Sequence, residues 1–211
     1  MEEFVPRGTS AKTALEKSTE KLRVFEAILK READKRGLLG PRDLEIVWER
    51  HILNCLALVE LIPLKATLAD LGSGAGLPGL VIAITRDDLK ITLVEPMERR
   101  ATFLKEVIHE LNLKNVEIVQ GRAESLSGKQ KFDLVTARAV APMNKLVKLA
   151  IPLLNKAGLL LAIKGEKANS ELNEAISQIK ELGATSLGVV KTGSEINSEI
   201  SVVVVKAGAS G

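Results

Sequence analysis

The spacing of apolar positions changes near residue 66. Before it, Leu22, Phe25, Ile28 and Leu29 recur three and four apart, as on one helix face, and Gly37 predicts the stop. The glycines and proline of residues 37–43 predict a loop. Leu44, Val47, Trp48, Ile52, Cys55, Leu56, Val59 and Leu61 then continue as a second amphipathic helix that ends before Pro63. After residue 66, short β-rich runs over 67–71, 90–95, 116–120, 132–137, 158–164, 187–191 and 200–205 read as seven strands. Helical stretches over 78–84, 97–111, 142–154 and 168–182 fall between them. Met97, Ala101, Leu104, Val107, Ile108 and Leu111, for example, share one face.

Strands alternating with helices predict an α/β fold, a mostly parallel seven-stranded Rossmann-like sheet covered on both faces. The last two strands are separated only by a short turn and should be antiparallel neighbours at one edge. This divides the chain into a helical extension over 1–63, with 1–18 expected to be poorly ordered, an α/β domain over 64–206 and a tail over 207–211.

Composition narrows the chemistry by exclusion. The single Cys55 rules out a disulfide framework or a cysteine-built metal site, and His51 and His109 leave little material for a histidine one. No metal is expected. Aromatics are 2% of the chain, with no tyrosine, so bases are not read by stacking on an aromatic sheet. The net charge of +3 is too small for a polybasic binder, yet residues 129–167 carry eight basic and two acidic side chains. That +6 stretch is either a nucleic-acid track or a solvated face. No apolar run is long enough to cross a bilayer, and the N-terminus lacks the apolar core of a secretory signal. With one free cysteine, a cytoplasmic location is expected.

The densest motif is Asp70-Leu71-Gly72-Ser73-Gly74-Ala75-Gly76-Leu77-Pro78-Gly79, where the first strand meets the first following helix. Glycines such as Gly72 and Gly74 let the backbone bend and approach a ligand closely. No Gly-Lys-Ser/Thr follows, which excludes a Walker loop, and the G-x-G-x-x-G spacing of dinucleotide enzymes is missing. Asp70, two residues before the first glycine, would oppose a pyrophosphate and suits a cation, as in the ammonium and sulfonium of S-adenosylmethionine. Glu95 ends the second strand, where a carboxylate can accept both ribose hydroxyls. Gln120-Gly121-Arg122-Ala123-Glu124 follows the third strand, placing the Ala123 backbone and the Glu124 side chain toward an adenine edge. These pieces fall on one rim, beyond the carboxyl ends of the strands, where such folds bind ligands.

The segments D-L-G-S-G-A-G-L-P-G, L-V-E-P-M-E-R-R-A-T-F-L, G-R-A-E and T-A-R-A-V-A-P together resemble the G-type small-subunit ribosomal RNA methyltransferases, also called glucose-inhibited division protein B. The resemblance covers about three quarters of the chain. It implies the class I methyltransferase fold, S-adenosylmethionine as cofactor and N7-methylguanosine in 16S ribosomal RNA as product, with that RNA or the small ribosomal subunit as partner. The family's cofactor positions fall on Gly72, Leu77, Ala123, Glu124 and Arg138.

Guanine N7 bears a lone pair and no proton, so its methylation needs positioning and no general base. Methylation at a pyrimidine C5 would need a nucleophilic cysteine, and Cys55 lies on an apolar helix face. The Asn/Asp-Pro-Pro-aromatic turn of many amine methyltransferases is replaced here by Thr136-Ala137-Arg138-Ala139-Val140. Arg138 is therefore expected at the chemical centre, positioning cofactor and base, with Lys164 and Arg122 as candidate contacts to the RNA backbone. His51 is expected either over the cofactor pocket or hydrogen-bonded in the interior, and Trp48 as a core anchor. A methyltransferase for a small molecule or a protein is the alternative, since the cofactor half of the site would serve any acceptor.

Overall fold

The computed structural model of the chain describes residues 8–208. Its seven strands are β1 (Thr67–Leu71), β2 (Lys90–Val94), β3 (Val116–Val119), β4 (Phe132–Arg138), β5 (Leu154–Lys164), β6 (Ser186–Thr192) and β7 (Ile200–Lys206). They form one sheet in the order β3-β2-β1-β4-β5-β7-β6. The first five are parallel, while β7 runs antiparallel to both β5 and β6. The strand order reverses between β1 and β4, which opens a crevice at their carboxyl ends.

Three helices precede the sheet, α1 (Ala11–Arg36), α2 (Pro41–Glu45) and α3 (Leu53–Leu56). Four more connect the strands, α4 (Gly79–Thr85), α5 (Glu98–Glu110), α6 (Met143–Ala150) and α7 (Ala168–Glu181). Alternation along each strand supplies two cores. Leu68, Leu134, Leu161 and Val202 face Leu22 of α1, Leu56 of α3, Leu80 of α4 and Phe103 of α5. Ala69, Val135, Leu160 and Val203 face Leu146 of α6 and Ile179 of α7. Each fully buried Leu or Val side chain contributes about 1.5–3 kcal/mol. The N-terminal helices thus share one core with the sheet. No helix among the described residues is long and apolar enough to cross a membrane.

Part of the segment expected to be poorly ordered is helical. Helix α1 begins at Ala11, so residues 11–18 are helical: the Ser10 hydroxyl accepts from the Thr13 N–H at 3.4 Å, and Ala11 and Ala14 are buried. Gly37, in the left-handed conformation at φ 59°, ends this helix as its sequence suggested. Residues 1–7 and 209–211, within the segments set aside as poorly ordered start and tail, lie outside the described residues. The tail's first residue is tied down, its N–H donating to the Gly158 carbonyl at 2.9 Å.

The second predicted helix is broken into pieces. After α2 comes a wide π-helical turn (Val47–Ile52), then α3 and a tight 3₁₀ turn (Ala57–Leu61). This irregular stretch carries His51 and Cys55 to the carboxyl rim, where both touch Arg138. Trp48 is only half-buried and lies against α1, with the Arg23 guanidinium 3.4 Å above its ring.

Candidate active site

The glycine loop between β1 and α4 is held mostly by its own hydrogen bonds. The N–H groups of Gly72 and Ser73 donate to the Val94 carbonyl (2.8 and 3.2 Å), and those of Gly76 and Leu77 to the Ser73 carbonyl (2.7 and 3.2 Å). Gly74 N–H donates to Glu95 Oε2 at 2.8 Å. With five N–H groups spent internally, the loop is no phosphate cradle. Gly72 has φ 66° and a backbone so near Val140 that a Cβ would lie 2.9 Å from that side chain, so glycine is required on both counts.

Asp70 does not face the crevice. It is wholly buried beneath the loop, its Oδ2 accepting from the Gly79 N–H at 3.1 Å near the start of α4, while Oδ1 has no partner. Burial pushes its carboxyl up to about 7, against the opposing pull of the Ser73 hydroxyl and the Gly79 N–H. The expected cation-facing acid is thus a brace that occupies the helix N-terminus a phosphate would otherwise take.

The crevice itself is a cavity of about 500 Å³ lined by Gly72, Gly74, Leu77, Glu95, Met97, Arg100, His51 and Arg138, among others. Glu95 is almost entirely buried and is fixed by backbone donors, with Gly74 N–H on Oε2 and Met97 N–H on Oε1 at 2.9 Å. Its carboxylate retains lone pairs for a ligand. Leu77, Met97 and Val140 make an apolar wall. Arg100 presents a guanidinium whose Nε is buried without a partner. A buried carboxylate, apolar walls, cations and a glycine edge fit the diol, adenine and carboxylate of S-adenosylmethionine.

Arg138 stands at the end of β4 between two cavities. Its Nη2 donates to His51 Nδ1 in a short contact, and its Nη1 to Cys55 Sγ at 3.3 Å and to the His51 carbonyl at 3.5 Å. All three acceptors are neutral, and no ion pair joins Arg138 to a carboxylate among the described residues. A guanidinium can only donate, so Nδ1 is unprotonated and the ring proton sits on Nε2, which donates to Asp43 Oδ1 at 3.0 Å. Burial and then Arg138 push His51 below the ordinary histidine range, with Asp43 pulling the other way. Burial likewise raises the Cys55 thiol, so it stays protonated and is no nucleophile.

A second cavity of about 540 Å³ lies beyond Arg138 and Ala139, and Asn54, Lys164, Glu166, Lys191 and Glu199 line it. Lys164 is there but committed, its Nζ donating to the Ala141 carbonyl at 3.0 Å and paired with Glu171 at 2.7 Å.

The remaining expected residues are not in either cavity wall. Ala123 and Glu124 lie on the short turn Ala123–Leu126, with the Ala123 side chain buried under it and Glu124 exposed. The preceding Gly121 N–H hangs this segment on the Glu95 carbonyl at 3.2 Å. Because β3 is the edge strand, two places from β1, these residues form a distant lip roughly 10 Å away. Arg122 is exposed there, after a strand three places from the one that Arg138 ends. The +6 stretch also divides. Lys131 precedes β4 and Arg138 ends it, and a seven-residue strand carries the chain roughly 20 Å across the sheet. The cations of residues 129–167 therefore lie at both ends and form no continuous track. Sequence reasoning passed over Asp43 and Arg100, whose only signals were an acid eight residues before His51 and a basic pair just after Glu95.

Comparison with known proteins gives the family. The family described as rRNA small subunit methyltransferase G matches residues 18–200. A Thermobifida fusca protein named ribosomal RNA small subunit methyltransferase G is 51% identical over 158 residues, 75% of this chain and 67% of the relative. A Streptomyces coelicolor protein of the same name is 48% identical over 171 residues, 81% and 72% of the two chains. Among solved structures, precorrin-6y C5,15-methyltransferase from Geobacter metallireducens superposes with TM-score 0.53 at 13% identity over 81% of this chain and 90% of that one. A methyltransferase from Pyrococcus furiosus does so with TM-score 0.51 at 20% identity, covering 68% and 75%. These last two likenesses show the class I methyltransferase fold.

Proposed function

We propose, starting from the fact that this chain belongs to the rRNA small subunit methyltransferase G family, that it methylates N7 of a guanine in 16S ribosomal RNA. The family is one of S-adenosylmethionine-dependent enzymes, and the cofactor supplies an electrophilic methyl group on a sulfonium. In this reading Glu95 receives the ribose hydroxyls, the Gly72–Gly74 edge passes close to the ligand, and Leu77 and Met97 pack on its apolar parts. Ala123 and Glu124 at the lip complete the adenine end. The same ribosomal substrate implies work in the cytoplasm.

The observation that carries the N7 assignment is the chemistry around Arg138. His51 Nδ1 is occupied by the guanidinium, the Glu95 oxygens are held by backbone N–H groups, Asp70 is sealed below the loop and Cys55 is a neutral thiol. None of these is a free base beside the reacting position. An acceptor atom that needs to lose no proton suits such a site, and guanine N7 is one. Arg138, which has no carboxylate partner among the described residues, would take an anionic or carbonyl group of cofactor or base, and the cavity beyond it offers room for the acceptor.

The test is transfer of tritiated methyl groups to purified small subunits and to naked 16S RNA, followed by nucleoside analysis. Label in N7-methylguanosine is expected. Label in another nucleoside, a protein or a small molecule would overturn the assignment.

A further inference from the structure

We propose that His51, backed by Asp43, is a positioning residue for Arg138 that works only as the neutral imidazole, so that methyl transfer is lost as His51 gains a proton. The inference rests on the reading of Arg138 as a residue of the reaction centre. It goes beyond that reading by making the activity depend on the protonation state of a ring that acts through Arg138.

The geometry is a relay in one direction. Asp43, from α2, accepts from His51 Nε2, and this fixes the tautomer whose Nδ1 lone pair faces Arg138. Among the described residues no carboxylate holds Arg138, and its other acceptors are a thiol sulfur and a main-chain carbonyl. The imidazole nitrogen is the strongest of the three, and it anchors Nη2. A proton on Nδ1 replaces this acceptor with a donor and sets a second positive charge against the guanidinium. The fork must then turn away, and small displacements at a reacting centre are costly.

Asp43 on α2 favours protonation, while Arg138 on β4 and the adjoining Arg50 oppose it, as does burial. Cys55 on α3 is neutral, and Glu95 and Arg100 share the same cavity wall as the ring. The balance keeps the ring neutral near pH 7 and charges it only in acid. The Asp43 carboxylate therefore has two effects that can be separated: it orients the ring, and it raises the pH at which the ring protonates.

Two amide variants divide the roles of the ring nitrogens. Asn at position 51 can offer an oxygen near the place of Nδ1 but does not reach Asp43; Gln can donate toward Asp43 but withdraws the acceptor from Arg138. H51N should retain most of the transfer to small subunits and lose the acidic fall in kcat. H51Q and H51A should lose about 100-fold in kcat, the scale expected of a misplaced reacting group. D43N keeps an oxygen acceptor but removes the charge, so the acidic fall should move to lower pH. A ring with a merely structural role would move no pH profile, and thermal unfolding shows whether each variant is folded.

Nitrogen-15 NMR of the imidazoles supplies a readout independent of activity. The chain has only two histidines, and His109 is exposed on α5, so the signals are readily separated. The Nε2–H tautomer is expected for His51 at neutral pH. An Nδ1–H tautomer, equal activity of H51N and H51Q, or an unmoved acidic limb in D43N would each overturn the proposal. Wild-type protein that transfers no methyl group to subunits or RNA would instead sink the methyltransferase reading itself.

Discussion

Asp70→Asn is the variant that tests the brace beneath the glycine loop. The wild-type carboxyl is wholly buried, has one backbone donor and an unpartnered Oδ1, and protonates at about 7 in the folded chain against 3.8 for the ordinary group. A carboxyl raised in this way adds stability that is complete below the unfolded value and is lost as pH rises through the folded one. Between pH 8 and pH 5 the wild-type protein should therefore gain about 2–3 kcal/mol relative to D70N, whose amide does not titrate. The comparison with D70N cancels other groups, including His51, whose lowered value acts with the opposite sign. Urea unfolding at a series of pH values measures it, with the gap between the two midpoints changing by about 1 M across this range. Parallel pH profiles for the two proteins would refute the buried-acid reasoning. It would then follow that Asp70 is solvated or paired, as it would be if it faced a cationic ligand.

Three further outcomes follow from the site. Arg138→Ala should lower methyl transfer by about 100-fold or more while leaving the protein folded, and Arg138→Lys should rescue little because an ammonium lacks the planar fork; wild-type turnover in R138A, measured with subunits, would remove it from the centre. Gly72→Ala forces a side chain into φ 66° and against Val140, so it should cost about 1 kcal/mol of stability and weaken cofactor binding in calorimetry, with an unchanged affinity contradicting the close approach. Lys131 and Lys156 precede or begin their strands' main ladder, at the end of the sheet opposite the crevice. Replacing both with Ala should leave transfer and its salt dependence within about a factor of two, whereas a marked loss would restore the continuous basic track.

Much of this site was legible because glycine, proline and strand-end acids carry local meaning. The Gly72–Gly74 loop and Glu95 were placed on one rim from motif and period, Leu77 and Arg138 were added by the family resemblance, and all line the same cavity. Asp70 was chosen for its position two residues before the first glycine, but strand alternation and burial turned its side chain inward, under the loop. Lys164 was recognised as a strand-end cation, while its pairing with Glu171 depends on α7 folding back over the sheet. Arg122, Ala123 and Glu124 follow a strand with the right pattern, yet strand order puts that strand at the edge.

Taken alone, the sequence determined the alternating layers and the antiparallel end of the sheet, because hydrophobic period and turn residues act over a few positions, and its motifs pointed to the family. Tertiary structure decided which charged groups meet. Asp43, His51, Cys55 and Arg138 are spread over 96 residues, numbered 43 to 138 inclusive, and no local spacing relates the last to the others. They converge because the N-terminal helices bury their apolar faces against the same side of the sheet as α4 and α5, and a wide helical turn carries His51 to the carboxyl rim. Core packing, which is insensitive to polar chemistry, thereby fixes the proton on Nε2 and the orientation of the arginine.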